Sequence, residues 1–156
     1  MAGGAMIWIN GGGRGWCSEP GMSEAESGTI YDRLGGAAFT RALADRFYDI
    51  MESDPAYAGL RAMHEPDLGP VRDSFAGFLA TWLGGPRDWL AARGGGFCVM
   101  SRHAGMGITA ETAGQWVAAM RAAMAELVTD ARLRAKIDEA FTRLAAAMAR
   151  GGGENA

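Results

Sequence analysis

The sequence is poor in the residues that most site chemistries require. Its 156 residues include two cysteines, two histidines and, among fifteen basic residues, one lysine, Lys136. Cys17 and Cys98 lie far apart. They form neither a CxxC pair nor a disulfide framework, which fits a reducing, cytoplasmic compartment. There is no HExxH, Cys/His cluster, GxSxG or Walker loop, and no seat for paired catalytic carboxylates stands out. Gly94-Gly95-Gly96 lacks the preceding strand that a phosphate-binding loop needs. No apolar run approaches the ~20 residues of a membrane span. Residues 1–21 lack the basic and continuously apolar segments of a signal peptide. A net charge of −3 leaves no basic field for nucleic acid.

What is present describes one helical domain. Hydrophobic residues at 49% and charged residues at 21% exclude a wholly disordered chain. Eight of the 24 glycines fall in residues 1–28. That segment has no helical period, and it is expected to be a disordered extension. Residues 29–150 are expected to form the domain and 151–156 a short disordered tail.

From Thr29 the chain becomes periodic. Ile30, Tyr31 and Leu34 predict a short helix stopped at Gly35-Gly36. Phe39, Leu43, Phe47 and Ile50, spaced 4, 4 and 3, predict a helix over 37–53, with Tyr48 on its flank beside Ala44 and Met51. Asp54-Pro55 ends it, and 54–66 read as irregular. Asp67 is the expected N-cap of the next helix, whose stripe is Val71, Phe75, Phe78, Leu79 and Trp82. Gly84-Gly85-Pro86 stops it. A long, weakly structured stretch follows to His103, and such stretches are more often functional than decorative. Thr109 opens a helix to about Leu127, with Trp116, Met120, Met124 and Leu127 on one face. The last helix runs from about Asp130 to Arg150, with Gly151 as its cap. No segment alternates with period two, so the fold class is all-α.

Composition and period alone stop at a helical domain. Aromatic stripes are usually core, and a lone histidine is usually structural. The order of the motifs adds more. TIYDRLGG (29–36), ALADRFYDIM (42–51), LRAMHEPDL (60–68), FLATWLGGPRDW (78–89), SRHAGMGI (101–108) and GQWVAAMRAAM (114–124) occur in sequence at characteristic spacing. Together they resemble the group II truncated haemoglobins, globins with a two-over-two helical sandwich around haem. The resemblance spans about residues 29–149.

The resemblance implies a non-covalent haem b, because no CxxCH is present. His103 matches the proximal ligand of the iron, and Arg102 matches the partner of a haem propionate. Tyr48 and Trp116 match the distal hydrogen-bond donors, with His64 at the corner position of the same distal site. Phe47, Phe75, Phe78, Leu79, Trp89, Met106, Ile108 and Met148 match haem-packing positions. Two departures stand out. GGGFCVM (94–100) replaces the usual Gly-His-Pro-x-Leu-Arg run, and Ala-Gly-Met follows His103 where Ala-Pro-Phe is usual. Val71 leaves its side of the distal pocket apolar.

Haem physics agrees with these roles. An apolar disc needs an aromatic and aliphatic slot and one neutral imidazole. The other ring nitrogen normally donates to a backbone carbonyl. The implied activities are binding of O₂, NO and CO at a pentacoordinate iron, conversion of NO to nitrate, and peroxide-dependent oxidation, with an unidentified reductase as partner. A carrier or ligand sensor without turnover is the alternative, and a haem-free helical module is a third reading. The expected assembly is a monomer or homodimer.

Overall fold

The computed structural model describes residues 28–94 and 99–153. The expectations for residues 1–27, Gly95, Gly96, Cys98 and residues 154–156 lie outside the described residues.

The chain enters its first helix, α1 (Ile30–Leu34), through a reciprocal cap. The Thr29 hydroxyl accepts from the Asp32 amide, and the Asp32 carboxylate accepts from the Thr29 amide. Gly35, at φ +114°, reverses the chain so that α2 (Gly36–Ser53) begins at once. The predicted α2 stripe is buried, and so are its flanking Ala44, Tyr48 and Met51. A buried arc this wide belongs to a helix covered on more than one side. α2 packs against two of the three other long helices.

After α2 come a 3₁₀ turn (Pro55–Tyr57) and one turn of helix, α3 (Ala58–Arg61). α4 follows (Gly69–Trp82). Leu68, not Asp67, occupies its cap position. Asp67 Oδ1 accepts the Gly69 amide at 2.9 Å, a local turn that ends one residue early. Pro70 then sets the helical φ. α5 (Asp88–Ala91) and α6 (Val99–His103) are short. α7 (Ala110–Leu127) opens on Thr109, which is capped reciprocally with Thr112. α8 begins at Ala131, where Asp130 Oδ1 takes the amides of Arg132 and Leu133, each at 3.0 Å. α8 continues to Gly153, past the expected stop at Gly151. Glycine permits a left-handed stop but does not impose one.

Two helix pairs, α2 with α4 and α7 with α8, form the body, and α2 lies against α7. No strand occurs among the described residues. Phe47, Leu43, Met51, Leu79, Met120, Met124, Ile137 and Phe141 are the centre of the core. Trp82 stacks on Phe141 at 4.6 Å between ring centres, joining α4 to α8.

α5 reaches α4 through a glycine. A Cβ built on Gly77 would lie 2.1 Å from Trp89 Cδ1, so the indole rests on bare backbone. Gly77→Ala should therefore push Trp89 off α4. Overpacking of this kind costs about 1–3 kcal/mol. The expected result is a lower urea midpoint at unchanged m; an unchanged midpoint would show that the indole relocates freely.

Candidate haem site

The site grows from the outward side of α4. The α2 stripe is closed over, but on α4 only Leu79 and Trp82 are buried. Val71, Phe75 and Phe78 are half-buried. So are Trp89, Ile108, Trp116 and Met148, and Met106 is 55% exposed. These side chains come from five segments, and nearly all were expected to pack against haem. Phe47 and Leu79 were also expected there; they are fully buried and form the floor beneath the others.

Tyr48 and Trp116 meet in one aromatic block. Tyr48 lies edge-on to Phe47 at 4.9 Å and to Phe75 at 5.9 Å. Trp116 lies 5.7 Å from Phe47 and 6.2 Å from Phe75. Two rings from different helices thus share the same two neighbours. Burial pushes the Tyr48 phenol above the ordinary tyrosine range, with Arg72 partly opposing. The hydroxyl consequently keeps its proton and remains a donor.

Arg72 was not singled out by sequence reasoning. Its guanidinium lies 5.7 Å over the Tyr48 ring. It also bonds the Asp45 carbonyl at 2.8 Å and the Asp49 carboxylate at 2.7 Å. This brace holds α4 on α2 beside Tyr48. The available signal was the carboxylate row Asp45, Asp49 and Glu52 on one face of α2, matched by a single arginine on α4.

Both histidines bond in the same way. His103 Nδ1 lies 2.8 Å from the Val99 carbonyl. His64 Nδ1 lies 2.9 Å from the Leu60 carbonyl. A carbonyl oxygen only accepts, so each Nδ1 carries the hydrogen and each Nε2 of the neutral ring keeps its lone pair. His64 is half-buried, edge-on to Tyr48 at 5.7 Å between ring centres. Burial holds its imidazole below the ordinary histidine range, against the pull of the Leu60 carbonyl. Charge on Arg61 and on His103 pushes the same way as burial. Arg102, beside His103 on α6, is exposed.

This donor set fits haem. One histidine with a fixed Nδ1–H and a free Nε2 is an iron ligand only if the metal brings its other ligands with it. Among the described residues no group of three or more His, Cys, Asp or Glu is placed to hold a bare metal ion. A half-open aromatic face suits an apolar ring system.

The comparisons with known proteins agree. Residues 29–150 match the family model of the bacterial-like globins. A search of the curated proteins gives no match. Among solved structures, a cold-adapted truncated haemoglobin from Pseudoalteromonas haloplanktis TAC125 is 36% identical with TM-score 0.73, covering 77% of this chain and 96% of its own. A group II two-on-two haemoglobin from Agrobacterium tumefaciens is 34% identical with TM-score 0.75, covering 80% of this chain and 96% of its own. A thermostable haemoglobin from Thermobifida fusca is 34% identical with TM-score 0.68, covering 78% and 96%. The chain belongs to the bacterial-like globin family, and its fold is that of the group II truncated haemoglobins. It is a haem- and ligand-binding globin. No helix among the described residues is long and apolar enough to cross a membrane.

Proposed function

We propose that this globin holds haem b through His103 and binds O₂, NO and CO on the opposite face of a pentacoordinate iron. The observation that carries this reading is the His103 Nδ1 bond to the Val99 carbonyl, which leaves Nε2 available to a metal, in a chain whose Phe75, Phe78, Trp89 and Trp116 stay half-buried. When bound, haem supplies the iron that takes a diatomic ligand and places partial negative charge on it. Phe75, Phe78, Trp89, Met106, Ile108 and Met148 hold the apolar faces of the ring, over Phe47 and Leu79. Arg102, exposed beside His103 on α6, pairs with a propionate in this reading. Tyr48 donates its hydroxyl and Trp116 its indole N–H to the bound ligand. Neither group readily occupies the iron itself, so donation does not compete with binding.

Two donors at one ligand support conversion of NO to nitrate, or peroxide-dependent oxidation, with a reductase to return the iron to its ferrous state. They support slow release equally well, which would suit a carrier or sensor. The expected setting is the cytoplasm, and the expected assembly a monomer or homodimer. The test begins with optical spectra of the purified chain in ferric, ferrous and oxygenated forms. A Soret band is expected, and its absence would overturn the haem site. Mixing the oxygenated protein with NO then separates the alternatives. Nitrate in excess over haem when NO, O₂ and an electron donor are all supplied supports turnover; a single equivalent, with the protein left ferric, leaves the carrier.

A further inference from the structure

The seam between α7 and α8 opens near the turn that joins them. A cavity of about 330 Å³ lies there, lined by Arg121 and Met124 of α7 and by Ala131, Arg134, Ala135 and Asp138 of α8. None of these side chains takes part in the haem reading. The α8 residues are three and four positions apart, so they share one face of the helix. Leu133 and Ile137 send the apolar volume of this part of α8 into the core instead. Alanine at 131 and 135 leaves only methyl groups on the seam, and the buried Met124 floors it. Small-molecule sites begin at roughly this volume, and they too are apolar with a few placed polar groups.

The charges around the cavity are not equally committed. Arg121 grips Asp138 side-on, through Nε at 2.6 Å and Nη2 at 3.0 Å. Together the two are neutral. Arg134 is half-buried, and among the described residues its guanidinium makes one hydrogen bond, from Nη1 to the Val128 carbonyl at 2.8 Å. Its Nε–Nη2 edge is the edge with which Arg121 holds a carboxylate, and here it is uncommitted. The planar fork matches a carboxylate with two parallel charge-assisted bonds. The Val128 bond already orders the guanidinium, so less side-chain freedom is lost when a ligand binds.

We propose that this seam is a binding site for a small organic acid with a flat apolar body, of which an aromatic monocarboxylate is the simplest case. The carboxylate takes the Nε–Nη2 edge of Arg134. The ring lies on the methyl groups of Ala131 and Ala135 and against Met124, whose thioether suits an aromatic partner. The Arg121–Asp138 pair closes one side. The site stands apart from the haem reading and does not depend on it.

Benzoate is the probe, titrated into the ¹⁵N-labelled protein. Haem, where present, is held as its diamagnetic CO complex, so that the iron offers no second site for an anion. Saturable shifts are expected at the amides of Ala131, Arg134 and Ala135, with a dissociation constant of about 1 mM or below, in the range open to a ligand of this size. Benzamide has the same ring without the charge and should bind about tenfold more weakly. Arg134→Gln keeps a donor for the Val128 carbonyl but loses the fork, and should weaken benzoate at least tenfold, roughly the worth of one charge-assisted bond. Ala135→Leu keeps every charge and fills the cavity, and should weaken it similarly. Residue 135 is exposed on a helix and leucine is a good helix former, so the variant should fold normally. Shifts that never saturate would overturn the proposal. So would benzamide binding as tightly as benzoate, or a benzoate affinity unchanged in either variant.

Discussion

His103→Gly should release the haem, and added imidazole should partly restore both the Soret band and ligand binding. The reasoning starts from the Val99 carbonyl. Its bond to Nδ1 fixes the tautomer and aims the Nε2 lone pair. Removing a partner that merely orients a ligand costs roughly 10–100-fold in metal affinity. Removing the ligand itself should cost at least the upper end of that range. Glycine leaves a gap the size of the lost ring, so free imidazole can enter and bond. It arrives without the chain's entropy advantage and should be needed at millimolar levels, an effective concentration typical of short tethers. Haem titration followed by absorbance, with and without imidazole, gives both numbers. Unchanged haem affinity in the variant would remove His103 as the proximal ligand.

Much of this fold was legible before any coordinates, because it is written in local pattern. Thr109 and Asp130, where two helices were expected to begin, cap them. The 4, 4, 3 spacing of Phe39, Leu43, Phe47 and Ile50 marks a buried face, and α2 buries all four. Asp67 shows the limit of such reading. Its side chain does satisfy a helix-start amide, but from one position too early, and a composition rule cannot tell a cap from the turn before it.

What sequence could not supply is contact between distant segments. Gln115 looks like an ordinary polar residue on α7 until Leu60 is folded against it. Arg72 reads as a solvated charge until three carboxylates of α2 face it and the Tyr48 ring lies beneath it. His64 was expected at a distal position, and its hydrogen bond to a backbone carbonyl is one that no spacing rule identifies.

The remaining large effect is expected at the two donors. Tyr48→Phe and Trp116→Phe should each raise the O₂ dissociation rate by roughly 10–100-fold. A hydrogen bond to a charged or strongly polarised acceptor contributes about 1.5–3 kcal/mol, and every 1.4 kcal/mol is tenfold. The substitutions separate donation from packing. Phenylalanine at 48 keeps the ring that touches Phe47 and Phe75, and removes only the hydroxyl. Phenylalanine at 116 keeps most of the volume against Phe47, Phe75 and Phe141 while removing the indole N–H. Haem retention and melting temperature should accordingly change little in either variant. Because both donors address one ligand through shared ring neighbours, their effects should couple, and the double variant should depart from the product of the single rates. Arg72 supplies the control for a purely structural explanation. Arg72→Met loosens α4 on α2 and takes the charge from above the Tyr48 ring but keeps both donor groups, so it should lower stability by about 1 kcal/mol or less and shift the off-rate far less than Tyr48→Phe. Stopped-flow O₂ dissociation across these four variants decides the matter. Off-rates near wild type in the single and double donor variants would leave Tyr48 and Trp116 as wall and not as donors. An Arg72→Met rate equal to that of Tyr48→Phe would assign the effect to helix packing.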